Sequence, residues 1–90
     1  MAQHKILLVD DDTDILEINS SYLASEGYEV VTATTIAQTM EKIQINSFDC
    51  IVLDVMLPDG SAFELPPRIQ VYSKAPIIFL TAKEDIEDKI

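Results

Sequence analysis

Two short apolar runs in this chain end in acid. Ile6-Leu7-Leu8-Val9 leads into Asp10-Asp11-Asp12, and Cys50-Ile51-Val52-Leu53 leads into Asp54. Apolar runs of this length, bounded by turn residues, fit strands buried on both faces of a sheet. A carboxylate at the end of such a strand sits at the sheet rim, where it meets water or a ligand. If the two strands are parallel neighbours, their backbones lie roughly 5 Å apart. Asp10, Asp11 and Asp54 would then crowd one spot. Like charges that close either raise a pKa or recruit a cation. Asp12 reads as a turn residue, and Asp59, in Pro58-Asp59-Gly60, as turn chemistry.

The surrounding elements alternate. His4–Val9 reads as a first strand. Thr13 can cap a helix, with Asp14 and Glu17 near its positive end. Ile15, Leu16, Ile18, Tyr22 and Leu23 form a wide apolar stripe at helical spacing, and Gly27 is a stop. Tyr28–Ala33 is a second strand. Thr34 or Thr35 can cap a second helix with Ile36, Met40 and Ile43 facing inward. Phe48–Leu53 is a third strand, and Leu57–Gly60 a loop. Ser61 and Glu64 have capping-box spacing for a third helix. Pro66-Pro67 in that helix predicts that it is broken, short or restarted, because an interior proline loses a donor and clashes with the preceding turn. Pro76–Leu80 is a fourth strand, and Lys83–Ile90 begins a helix. Strands alternating with helices predict one α/β domain over residues 1–90, a parallel sheet with flanking helices.

Composition narrows the function. Sixteen acidic residues against 6 basic give a net charge of −10. No basic patch is available to release counterions from a nucleic-acid backbone, so binding nucleic acid through this domain is not expected. No apolar stretch approaches the roughly 20 residues of a membrane span. The single Cys50 allows no intrachain disulfide, and with no secretory segment at the N-terminus a cytoplasmic location is expected. Cys50 reads as a small core residue, Met40 as core, and His4 as exposed and inert. With only Gly27 and Gly60, the chain has no Gly-rich phosphate loop.

Taken in order, the acidic end of the first strand, Asp54-Val55-Met56-Leu57-Pro58-Asp59-Gly60, and Ile77-Ile78-Phe79-Leu80-Thr81-Ala82 resemble a response-regulator receiver domain of two-component signalling. The resemblance spans essentially the whole chain. It implies a flavodoxin-like doubly wound parallel sheet, here incomplete, with four strands in the order 2-1-3-4 and flanking helices. It implies a phosphoacceptor rather than an enzyme acting on a separate substrate. Asp54 would take a phosphoryl group from a sensor histidine kinase or a phosphotransfer protein, with Mg2+ as cofactor. Asp11 and Asp54 would ligate directly with the backbone carbonyl of Met56, and Asp10 through water. The Thr81 hydroxyl and the Ala82 backbone N–H would receive phosphoryl oxygens.

The sequence also departs from the family pattern. It stops before the fifth strand, which in receivers carries a lysine, and before the fifth helix; Lys83 does not correspond to that lysine. Ala62 stands where glycine is usual, and Pro66-Pro67 is atypical. An uncovered fourth strand and first helix would favour self-association. The competing reading is a degenerate receiver that serves only as a structural or protein-interaction module. An aspartyl-nucleophile hydrolase fits less well, because Met56 stands where such phosphatases carry a second aspartate.

Overall fold

The computed structural model describes residues 4–80. The expected helix at Lys83–Ile90, and Thr81 and Ala82, lie outside the described residues.

Four strands form the main sheet: β1 (Lys5–Val9), β2 (Glu29–Ala33), β3 (Cys50–Asp54) and, after a small hairpin of β4 (Met56–Leu57) and β5 (Gly60–Ser61), β6 (Ile77–Leu80). Their order is β2-β1-β3-β6, and every neighbouring pair is parallel. With β6 as the fourth long strand, this is the doubly wound order expected. The central strands carry side chains into both faces: Leu7, Leu8, Val9, Ile51 and Leu53 are all buried. That two-sided burial is why their sequences are continuous apolar runs rather than alternating ones.

Helix α1 (Thr13–Ser25) starts one residue earlier in capping terms than the sequence suggested. Asp12, not Thr13, is the cap, its side chain accepting from the N–H groups of Asp14 at 3.0 Å and Ile15 at 3.2 Å. A carboxylate satisfies the orphan donors of the first turn and complements the positive end of the helix. Just past the Glu26 cap the chain turns away at Gly27, whose φ of 96° suits a residue without Cβ. Of the apolar stripe on α1, Leu16 alone is buried, while Ile15, Ile18 and Tyr22 are exposed.

Helix α2 (Ile36–Ile45) buries Ile36, Thr39, Met40 and Ile43, the expected face with Thr39 added. Thr39 is accommodated because its hydroxyl donates to the Thr35 carbonyl at 2.8 Å. Thr35 is the cap, accepting from the Gln38 N–H at 3.0 Å.

The third helical segment is short. A 3-10 turn (Ala62–Glu64) passes into α3 (Leu65–Ile69). Ser61 caps this turn by accepting from the Phe63 N–H at 3.3 Å, one residue short of the Glu64 N–H that the expected capping box would use. The two prolines fall in the first turn of α3, where backbone N–H groups have no intrahelical partner to lose. Leu65 and Ile69 flank them and are fully buried with Leu53, Ile51 and Met40 in one core.

Two substitutions separate these roles. Pro67→Ala should change stability by less than about 1 kcal/mol, since the position costs no hydrogen bond. Leu65→Ala should cost about 2–5 kcal/mol through the cavity it leaves. Urea unfolding of both variants checks this, and a large loss from Pro67→Ala would contradict the placement.

Candidate functional site

The register of β1 and β3 builds the site. Leu7 pairs with Ile51 and Val9 with Leu53, so the chains run in step to their C-terminal ends. One residue further on, Asp10 and Asp54 emerge side by side. Asp10 leaves β1 with its N–H donating to the Ala33 carbonyl at 3.1 Å, which ties the turn to β2. One carboxylate oxygen of Asp10 accepts from the Asp12 N–H at 2.9 Å, so the side chain is oriented by the turn that follows it. Asp54 is the last residue of β3, and the next N–H, of Val55, donates to the Leu80 carbonyl of β6 at 3.1 Å.

Carboxylate oxygens of Asp10, Asp11 and Asp54 come within 4.8 Å of one another. The three sequence-singled acids therefore do meet. Their environments differ: Asp11 is exposed, Asp10 half-buried, and Asp54 only 6% exposed. Among the described residues, the contacts within 4 Å between basic and acidic side chains, Lys5 with Glu29 and His4 with Asp49, lie at the opposite rim, where β1 begins. All donors at the cluster are hard carboxylate oxygens, the set that suits magnesium or calcium rather than a soft metal. The residues present thus fit a hard divalent cation.

The electrostatics agree with that chemistry. Burial, reinforced by the charges of Asp10 and Asp11, pushes Asp54 up to about 6. Asp10 is raised as well, first by burial and then by Asp11, against the lowering effect of its bond from Asp12. Cys50 is half-buried in β3, and burial pushes its thiol up, consistent with a packing role. His4 is exposed at the opposite end of the sheet.

The Pro58-Asp59-Gly60 pattern predicts turn chemistry for Asp59, and the structure gives it more. Its two carboxylate oxygens accept from the N–H groups of Ile36 at 2.8 Å and Ala37 at 3.1 Å, across 23 and 22 residues of sequence. The first of these bonds is the main cause holding its carboxyl below the usual range. A Pro-Asp-Gly turn signals only local geometry, so nothing in the sequence pointed to α2.

The raised Asp54 has a consequence for stability. The folded protein holds this proton more tightly than the unfolded chain, so Asp54 favours folding below about pH 4. That contribution is lost as pH rises through about 6. Without divalent cations, Asp54→Asn should be more stable than the parent above about pH 7, by something on the order of 2–3 kcal/mol. The gap should close as pH falls through the same window. Urea unfolding in a chelator at both ends of the range tests this, and a pH-independent gap would contradict it.

Residues 6–90 match the response regulator receiver domain family. Curated relatives include the probable transcriptional regulator ycf27 of Cyanidium caldarium, 39% identical over 98% of this chain. Another is the nisin biosynthesis regulatory protein NisR of Lactococcus lactis subsp. lactis, 38% identical over 97%. The chain spans 35% and 38% of those two proteins. Among solved structures, the non-phosphorylated HemR receiver domain from Leptospira biflexa is 35% identical with a TM-score of 0.83, covering 97% of this chain and 71% of that one. A CheY-like receiver domain protein from Methanospirillum hungatei JF-1 is 32% identical with a TM-score of 0.86, covering 98% and 71%. The parallel four-stranded order, the acids at the ends of β1 and β3, and these matches place the chain in the response-regulator receiver domain family of two-component signalling.

Proposed function

We propose that this receiver domain takes a phosphoryl group onto Asp54 from a sensor histidine kinase or a phosphotransfer protein. The observation that carries the reading is the meeting of the Asp10, Asp11 and Asp54 carboxylates, with Asp54 the most buried of the three. Phosphoacceptance in place of turnover of a separate substrate is the general role of the family.

In the transfer, an Asp54 carboxylate oxygen attacks phosphorus. The bond from phosphorus to the donor histidine nitrogen breaks, and the electron pair leaves with the imidazole, giving an aspartyl phosphate. Such a transfer depends on in-line positioning and charge neutralisation more than on covalent help. Asp54 must be ionised to attack, which neighbouring negative charge opposes. Asp10, Asp11 and Asp54, with the backbone carbonyl of Met56, would hold Mg2+. When bound, the ion offsets the charge of the carboxylates and of the incoming phosphoryl oxygens. The Thr81 hydroxyl and the Ala82 N–H, carried over from the family resemblance, would receive those oxygens. The β1–β3 rim supplies the rest: Asp12 orients Asp10, and the sheet holds Asp54 in place.

Incubation with a small-molecule phosphodonor such as acetyl phosphate and Mg2+, read by intact mass spectrometry, tests the proposal. One phosphoryl adduct is expected, abolished in Asp54→Asn and by chelation of the metal. Absence of an adduct on the parent protein would favour a receiver scaffold that serves only as an interaction module.

A further inference from the structure

Asp59 lies on the loop that leaves the site, and its contacts reach a different element. From Asp54 the chain runs through Val55 and Met56 into the β4–β5 hairpin and returns at Ala62. Backbone bonds pin the base of this loop: the Val55 N–H to Leu80, and the Ala62 N–H to the Val55 carbonyl at 2.8 Å. Its tip is held differently. The carboxylate of Asp59 takes the N–H groups of both Ile36 and Ala37, the first two residues of α2. Beside it, Gly60 has a φ of 146°, and a Cβ there would meet Cδ1 of Ile36 at 3.0 Å. The tip is therefore packed as well as bonded against the start of α2.

Helix α2 did not need Asp59 alone for its cap. Thr35 already serves the Gln38 N–H at 3.0 Å. Asp59 supplies two further acceptors, and because its carboxyl sits 22–23 residues away it ties two elements together rather than closing a local turn. A hydrogen bond from an ionised group is stronger than a neutral one, and two in parallel restrict orientation as well as distance. The element so tied contains Met56, midway between Asp54 and Asp59.

We propose that Asp59 is a positioning residue for the acidic site: by clamping the loop tip to the start of α2 it sets where the Met56 backbone stands relative to Asp54, and so tunes divalent-cation affinity. This rests on the reading of Asp10, Asp11 and Asp54 as a cation site. Residues that orient a ligand from outside the coordination sphere commonly alter metal affinity about 10–100-fold.

Mg2+ titration by isothermal calorimetry on the folded protein separates positioning from helix capping. Asp59→Ala should raise the Mg2+ Kd by about tenfold. Thr35→Ala, which removes the other α2 cap without touching the loop, should lower thermal stability yet leave the Kd within about twofold of the parent. If Asp59→Ala does not fold, Asp59→Asn, which keeps one acceptor oxygen, should still raise the Kd by a few-fold. An unchanged Kd in the folded Asp59 variants, or an equal rise in Thr35→Ala, overturns the proposal. A parent protein that binds no Mg2+, or whose Kd is indifferent to Asp54→Asn, overturns instead the cation-site reading beneath it.

Discussion

Repulsion among three carboxylates at one end of the sheet is the constraint around which this molecule is organised. Asp10 and Asp54 stand at the tips of adjacent parallel strands because β1 and β3 pair in register up to Val9 and Leu53. Placing charge there, with Asp54 nearly buried, costs stability that the core must offset. Leu7, Val9, Ile51 and Leu53 provide that support, all fully or nearly fully buried within a few residues of the acids. The sheet thus holds the three carboxylates together, and the repulsion at its rim is of the kind that a hard divalent cation would relieve.

The turns around the rim share one device. Carboxylates that are not in the cluster are used to satisfy helix N-termini: Asp12 caps α1, and Asp59 reaches the first two amides of α2. Each sits one step from the site in sequence or on the loop leaving it. Acid is therefore not simply spread over this surface for solubility. Five of the 16 acidic residues, Asp10, Asp11, Asp12, Asp54 and Asp59, are committed to orienting backbone or to meeting at the site.

The helices show where one-dimensional pattern loses force. In α2, spacing alone located Ile36, Met40 and Ile43, because one helix face packing on a sheet leaves a 3.6-residue imprint. In α1 the same imprint was present, yet Ile15, Ile18 and Tyr22 are exposed and Leu16 alone is buried. Periodicity reports which residues share a face, not how much of that face another element covers. Pro66 and Pro67 are a case where sequence and structure agree: the pair predicts a broken, short or restarted helix, and α3 is a five-residue helix that carries both prolines in its first turn.

Sequence by itself determined the alternation of strands and helices, the parallel sheet and the three acids that end its strands. These are local properties: continuous apolar runs, caps and stops each act over a few residues. The convergence of Asp10, Asp11 and Asp54 was conditional on strand adjacency, which only the β2-β1-β3-β6 order settled. The role of Asp59 was invisible for a sharper reason. A hydrogen bond across 23 residues is decided by where two loops come to rest after the sheet and α2 have packed, and no spacing rule encodes that position.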